Sequence, residues 1–333
     1  MRIHAAVLRH PSRPVEVEEV ELDPPKAGEV LVRVAAAGVC HSDLRYADGE
    51  LGTDRWPMVL GHEGAGIVEE VGAGVTHVTP GDHVSFCFVP ACRACRYCLA
   101  GKPNLCLLVA EHGSRGMLMD GTSRLRALDG TTLQHGLRTA CFAERTVVAT
   151  GGAVPIPAEL PLWQAALLGC GVVTGLGAVR NVAGVRPGES VAVFGCGGVG
   201  LQVIAGARIA GADPIVAVDR VPEKLDLARA QGATHTIEAT ADEGGPVSAV
   251  HGLTDGGVDF AFEVIGRAET IRLAWGAIRP GGTVVVVGLA PEGVDASVPA
   301  IEFLSDKSLK GTYYGSGDPA AELPELAALA SPT

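Results

Sequence analysis

Positive charge is in short supply in this chain: 26 lysines and arginines stand against 38 aspartates and glutamates, a formal net charge of −12. That deficit excludes nucleic acid and anionic membranes as main partners. Long apolar runs are also missing; none approaches the roughly 20 residues needed to span a bilayer. The N-terminus, Met1 to Val7, alternates like a strand and has no secretory apolar core. Internal repeats and low-complexity tracts are absent as well. A cytoplasmic protein is the expectation. With 47% apolar and 19% charged residues the chain is globular, and 333 residues suffice for two domains with cores of their own.

Nine cysteines are present, and four of them crowd into fifteen residues. Cys92, Cys95, Cys98 and Cys106 form C-x2-C-x2-C-x7-C, within a lobe at residues 91–107. Four thiolates at this spacing converge on one closed ion, and the loop between them has little apolar material to fold around otherwise. Zinc is favoured, with an iron–sulfur or redox cluster as the alternative on spacing alone. A structural zinc also requires a reducing compartment, since the thiolates must stay unoxidised.

A second candidate cluster is scattered. His62 and Glu63 are squeezed between glycines in Gly61-His62-Glu63-Gly64-Ala65-Gly66, while Cys40 lies in Gly38-Val39-Cys40-His41-Ser42-Asp43 and Cys170 in Gly169-Cys170-Gly171. Two thiolates and one imidazole make a three-ligand zinc set with an open fourth position, the arrangement of a catalytic site. The plain alternative is two small buried cysteines and a core histidine.

Along the chain, the first 150 residues read as short strands joined by turns. Val15–Leu22, Glu29–Ala37, Gly66–Val71 and His83–Phe88 are strand-like, in a mainly-β module carrying the metal residues on its loops. Residues 111–141 form a long, polar, glycine-containing connection, of the kind that is functional or flexible. From about Pro161 the texture changes: Trp163–Leu168 and Val172–Val182 read as helices. Apolar strands then alternate with helices to about residue 314, which predicts an α/β fold with a doubly wound parallel sheet.

Within that half, the strand Ser190–Phe194 runs into Gly195-Cys196-Gly197-Gly198-Val199-Gly200 and a helix, and Asp219 ends the next strand nineteen residues after Gly200. This is the complete context of a dinucleotide fingerprint. Gly195 permits the tight turn, Gly197 a close backbone approach to a pyrophosphate, and Gly200 close helix–strand packing. The amides at Gly198 and Val199 open the helix toward the phosphates. Asp219 suits the ribose hydroxyls and repels a 2′-phosphate, so NAD is expected over NADP; Arg220 softens that preference, and Lys224 completes the candidate set.

These motifs, in this order, resemble the zinc-dependent medium-chain alcohol dehydrogenases over residues 1 to about 330. The resemblance implies a Rossmann sheet for NAD and a mainly-β, GroES-like catalytic domain. It implies a catalytic zinc on Cys40, His62 and Cys170 and a structural zinc on Cys92, Cys95, Cys98 and Cys106. Glu63 then lies behind the catalytic metal, Asp43 orients the histidine ligand, and Ser42 receives the substrate proton. His41 matches a position that contacts the cofactor phosphates, and Thr174 one beside the nicotinamide. The implied domains are 1–170 (catalytic), 171–314 (NAD-binding) and 315–333 (the start of a return to the catalytic domain). The long connection at 111–141 resembles that of dimeric members, so a homodimer is expected.

Two departures stand out. Arg45 occupies the position where many members carry a proton-relay histidine. The family pattern also continues past Thr333, so the returning segment is expected to be shortened. The implied reaction is hydride transfer between a primary or aromatic alcohol and NAD, giving an aldehyde or ketone. The alternatives are thiol-dependent formaldehyde oxidation, a nicotinoprotein that never releases its dinucleotide, and a non-catalytic NAD- and zinc-binding protein. Tyr46, Trp56 and the 111–141 connection are candidate substrate-pocket walls.

Overall fold

Residues 1–51, 56–113, 115–239 and 245–330 are described by a computed structural model, in which the chain divides into two compact units. One comprises Met1–Val173 with Gly317–Thr333, the other Thr174–Ser316. Ser114, in the long connection, and the last three residues of the expected return segment lie outside the described residues.

The first unit is built on two sets of antiparallel-rich strands. Arg2–Leu8, Glu16–Leu22, Leu125–Ala127, Thr132–His135 and Met58–Val59 close into a barrel in that order. Ala153–Pro155, His83–Phe86, Glu63–Val71, Glu29–Gly38 and Arg145–Ala149 form a five-stranded sheet, again in that order. Alternation along the first strand sends Ile3, Ala5 and Val7 inward, where they meet Val20, Leu22, Leu125 and Leu133 in the barrel core. Val30, Val32, Val68, Val84 and Phe86 fill the sheet's own core. The terminal helix Pro319–Ala330 belongs to this unit and buries Leu323 and Ala327.

The expectation of a polar, irregular connection over 111–141 is corrected. Two barrel strands lie inside it, paired through the turn at Asp129-Gly130. Arg124, 1% exposed, grips the buried Glu29 carboxylate with two guanidinium nitrogens and also reaches Asp120. Turn residues raise the local polarity, and the buried ion pair reads in sequence as surface charge; the two together hide a short hairpin. The strand after this connection begins at Arg145.

The expectation that no stretch is long and apolar enough to cross a membrane is likewise corrected. Helical segments run on without a break over Leu162–Ala183, 22 residues whose most apolar 18-residue window has a mean hydropathy of 1.6, so length and composition pass that test. Of its most apolar window, 56% is buried within the protein, as in a core helix. The helices read separately in sequence, Trp163–Leu168 and Val172–Val182, are joined by a π-helical turn at Leu168–Val172.

In the second unit six parallel strands stand in the order His235–Glu238, Ile215–Asp219, Val191–Phe194, Val258–Glu263, Ile278–Val286, Ser308–Gly311. Chain order within the sheet is therefore 3-2-1-4-5-6, the doubly wound arrangement whose direction reverses beside its first strand. Val191, Val193, Val203, Ile204, Ile215 and Phe262 pack in one core, and Phe194, Val216, Val258, Trp275 and Val284 in the other. Both faces are thus covered, which is why the strands read as continuous apolar runs.

Candidate metal centres and dinucleotide site

Cys40, His62, Glu63 and Cys170 arrive from three distant segments, and one ligand atom from each lies within 4.8 Å of all the others. Cys40 and His62 stand on short connections at the ends of regular elements, as expected, while Glu63 and Cys170 lie within elements. Cys40 caps the helix His41–Ala47, Glu63 opens a central strand immediately after His62, and Cys170 lies in the π-helical turn. An inserted residue of that kind redirects side chains inside a helix and recurs at functional sites. The turn can press against the sheet because Gly169 has no side chain; a Cβ there would run into the Phe86 carbonyl. Ser85, fully buried, fastens the same helix by donating to the Ala165 carbonyl at 2.9 Å.

Asp43 wires the cluster together. Its Oδ1 accepts from His62 Nδ1 at 3.1 Å and from the Gly61 amide at 3.2 Å, and its Oδ2 accepts from the Cys40 amide at 3.2 Å. With Nδ1 engaged by a carboxylate, Nε2 is the nitrogen left for a metal. That atom is buried and meets no hydrogen-bond partner among the described residues beyond the Cys40 sulfur that faces it. The Phe88 ring stands edge-on to the imidazole, 5.5 Å between centroids.

Charge on these groups is strongly redistributed. The Cys40 thiol is pulled down to about 3, first by its hydrogen bond with Cys170 and then, against burial, by His62. Cys170 is pushed well above the usual thiol range by the same hydrogen bond and by burial. Burial pulls His62 down, yet its bonds to Asp43 and Cys40 outweigh it and raise it to about 10. Burial, then the charge on Cys40, lifts the Glu63 carboxyl to about 7. A pair of sulfurs sharing a proton beside an imidazole is the charge pattern a divalent ion replaces, releasing protons as it binds.

Ser42 lies beside the cluster, its Oγ 3.6 Å from the Cys40 sulfur. His41 is exposed at the first position of the helix, and Arg45 forms an ion pair with Glu50. Of the expected pocket walls, Tyr46 is buried against Leu8, Leu51, Met58 and Leu60, which makes it a packing residue there. Trp56 is half-buried and stacks on His10.

Sequence reasoning missed three supports of this cluster. Phe88 offered no signal beyond being an aromatic at the end of the strand expected over His83–Phe88, and the strand itself stops at Phe86. Thr139 donates to the Gly61 carbonyl at 2.8 Å, holding the turn before His62, and Arg138 donates from Nε to the Phe88 carbonyl at 2.8 Å. Leu137, Arg138 and Ala140 all have positive φ, a local strain tolerated where surrounding contacts over-determine the backbone.

The four cysteines of the lobe also converge, all sulfurs within 4.8 Å of one another. Cys95 and Cys98 sulfurs are 3.5 Å apart, and Cys92 and Cys98 3.9 Å. A tetrahedron with Zn–S bonds of about 2.3 Å has S···S edges of about 3.8 Å, so the geometry fits zinc. Backbone amides also point at the sulfurs, Cys92 N to Cys106 Sγ at 3.3 Å and Cys95 N to Cys92 Sγ at 3.4 Å. The Arg93 guanidinium, on the same lobe, clasps Asp318 just ahead of the terminal helix.

In the second unit, Gly195 follows its strand with φ +101°, and a Cβ at Gly200 would collide with the Gly195 carbonyl. Gly197 and Gly198, by contrast, are exposed and have open space where a Cβ would stand. They leave a bare cradle at the start of the helix Gly198–Ile209, whose first amides have no partner within the helix. Val199 is half-buried in the helix's first turn. Asp219 ends its strand as expected, and its carboxylate accepts from the Cys196 amide at 2.7 Å and the Val221 amide at 3.0 Å. It therefore buttresses the glycine turn while keeping lone pairs for other donors. Arg220 is exposed and Lys224 half-buried nearby; Thr174, half-buried, begins the unit.

Residues 26–158 match the family described as alcohol dehydrogenase GroES-like domain, and residues 198–331 that described as zinc-binding dehydrogenase. An S-(hydroxymethyl)glutathione dehydrogenase of Escherichia coli O157:H7 is 42% identical over 328 residues, 98% of this chain and 88% of that one. Among solved structures, benzyl alcohol dehydrogenase from Acinetobacter calcoaceticus superposes with a TM-score of 0.92 at 35% identity, covering 99% of this chain and 89% of that one. An alcohol dehydrogenase zinc-binding domain protein from Burkholderia ambifaria gives 0.92 at 38% identity, covering 99% and 88%. Two sulfur clusters shaped for zinc, a dinucleotide cradle and identity along nearly the whole length place this chain in the zinc-dependent medium-chain alcohol dehydrogenase family, oxidoreductases that pass hydride between an alcohol and NAD.

Proposed function

We propose that this chain oxidises a primary or aromatic alcohol with NAD, and reduces the matching aldehyde, on a zinc held by Cys40, His62 and Cys170. The observation that carries the assignment is the buried His62 Nε2, left without a conventional partner beside two sulfurs while Nδ1 is pinned by Asp43. When bound, zinc supplies a Lewis acid for the substrate oxygen and NAD the hydride acceptor.

The chain's own residues do the rest. Asp43 fixes the imidazole tautomer and, through the Cys40 and Gly61 amides, the spacing of two ligands from distant segments. Ser42 accepts the alcohol proton at Oγ while passing its own hydroxyl proton on to water. Arg45, locked to Glu50 and always cationic, cannot carry that proton onward, so the relay runs through Ser42 without it. Glu63 stays behind the ligands as a buried carboxyl. Gly197, Gly198 and Val199 receive the pyrophosphate, with Gly195 and Gly200 shaping the turn. Asp219 accepts the adenosine ribose hydroxyls; Arg220, Lys224 and Thr174 line the cofactor's course, and His41 keeps the phosphate-contacting role that the family resemblance gives it. Cys92, Cys95, Cys98 and Cys106 hold a structural zinc.

A second substrate reading has a specific support, the 42% identity to an S-(hydroxymethyl)glutathione dehydrogenase. On that reading the alcohol is the hydroxymethyl adduct of formaldehyde with a thiol. NADH absorbance over a panel of alcohols, and over formaldehyde with and without glutathione, separates the two. Two zinc ions per chain are expected, and no NADH formation from any of these substrates by the zinc-replete protein refutes both readings. Asp219→Ala is expected to narrow the NAD preference about tenfold; an unchanged NAD:NADP ratio removes its ribose role.

The protein is proposed to work in the cytoplasm as a homodimer. Supporting the dimer, the edge strand Ser308–Gly311 pairs on one side only among the described residues, and Ile301, Leu304 and Leu309 lie exposed nearby. Light scattering of the purified protein tests it, and a monomer at all concentrations would refute it.

A further inference from the structure

Glu263 is the last residue of a central strand, Val258–Glu263, directly across from Phe194, the residue before the glycine turn. It is fully buried, and among the described residues no cation pairs with it. A carboxylate in that position is costly unless hydrogen bonds replace its water. All of them fall on one oxygen: Oε1 accepts from the Ile265 amide at 2.9 Å, the Gly266 amide at 2.8 Å and the Thr270 hydroxyl at 2.7 Å, while Oε2 has no partner. The same residue's carbonyl accepts from the Val287 and Gly288 amides of the neighbouring strand end.

This grip shapes a crossing with no slack. A Cβ on Gly266 would strike the Leu289 carbonyl, and one on Gly288 would strike the Gly266 amide. Ile265, between the two amides that Glu263 holds, packs where a Cβ of Gly195 would stand, 2.6 Å from its Cγ1. The chain of contact therefore runs from the Glu263 carboxylate through Ile265 to the first glycine of the turn. Its location is the carboxyl end of the sheet where strand order reverses, the place at which doubly wound sheets bind ligands.

We propose that Glu263 is a positioning residue for the dinucleotide: its carboxylate sets the Val264–Gly266 turn, and that turn sets the cradle beginning at Gly195. The inference rests on the dinucleotide reading above. Glu263→Ala frees two backbone amides and a hydroxyl, and NADH affinity falls about tenfold or more, while kcat at saturating NAD stays within about threefold. Glu263→Gln keeps an oxygen that accepts the same three donors and holds affinity within about threefold of wild type. Thr270→Val removes one of the three donors and weakens NADH about threefold.

The measurement is NADH fluorescence titration of the zinc-replete protein, paired with steady-state kinetics and zinc content, which stays at the wild-type level in all variants. Wild type that fails to bind NADH brings down the dinucleotide reading itself. Wild type that binds, with Glu263→Ala binding equally well, overturns the inference alone. So does Glu263→Gln binding as weakly as Glu263→Ala, because charge and not the grip would then matter. If Glu263→Ala does not fold, Thr270→Val decides, and unchanged affinity in that variant rejects the proposal.

Discussion

The lobe at residues 91–107 and the cluster at Cys40, His62 and Cys170 are both cages of soft ligands, yet they are held in opposite ways. In the lobe four sulfurs come from one short segment, and the amides aimed at them belong to the same segment. The lobe's turns meet at the four sulfurs, with only hydrogen bonds beside them, so an ion bound there would act as the lobe's core. In the other cluster the ligands come from a helix cap, a strand start and a π-helical turn, each already anchored by Asp43, Ser85 or the packing of Gly169. There the fold positions the ligands and the ion is free to do chemistry. A closed cage stabilises; a cage held from outside leaves a coordination position for substrate.

The sharpest way to break this comparison is at His62. His62→Ala is expected to lower kcat/KM by about 10³-fold or more, removing the several kcal/mol a Lewis acid supplies. Bound zinc falls from two ions to one, while NADH titration is unchanged. Full activity in that variant would take the metal out of the reaction. The converse change, Cys98→Ser in the lobe, is expected to cost stability: Tm drops by about 10 °C, a loss of a few kcal/mol in a domain of this size. An unshifted Tm would show that the lobe does not depend on its ion.

Asp43→Asn sharpens the contrast without deleting a ligand. The amide keeps an acceptor but loses the charge that holds the imidazole, so zinc affinity or kcat/KM is expected to fall about 10- to 100-fold. Competition against a chelator measures it, and wild-type affinity would mean the cage does not need its outer anchor. The same substitution leaves the lobe's zinc in place.

The smallest expected effect lies away from both cages. His135 is fully buried, and burial together with the nearby Arg124 charge pulls it down to about 3 from the ordinary 6.5; its Nε2 accepts from the Arg124 amide at 3.2 Å. The unfolded chain therefore binds one more proton than the folded one between those pH values. This contribution is whole above about pH 6.5 and is lost as pH falls toward 3. Denaturation midpoints followed across that window are expected to fall less steeply in His135→Gln. An identical slope in the two proteins removes His135 from the acid sensitivity.

What was readable in sequence follows the same division. The lobe was legible because C-x2-C-x2-C-x7-C confines its ligands to fifteen residues, although spacing alone left iron open. The parallel sheet was legible because strands buried on both faces read as unbroken apolar runs, and the fingerprint because each glycine does a separate job within a few residues. Cys40 and Cys170 were legible only as candidates: they stand 130 positions apart, local pattern left the plain reading of two buried cysteines open, and the family's motif order was what favoured the ligand set. Arg124 and Glu29 show the opposite failure. Sequence reads them as surface charge, while the barrel buries both and turns a supposed loop into a hairpin. Phe88 and Thr139 act through a ring edge and a single hydroxyl, contacts that leave no trace in periodicity.

The π-helical turn at Leu168–Val172 makes the chain's length there matter more than its composition. One residue removed between those positions rotates everything beyond the cut by about 100° around the helix axis and draws it in by about 1.5 Å. Cys170 would swing off the ion even though the cysteine itself survived. A conservative exchange at Leu168 or Val172 should therefore be tolerated where a one-residue deletion beside them is not, and length variation between relatives should fall outside this stretch.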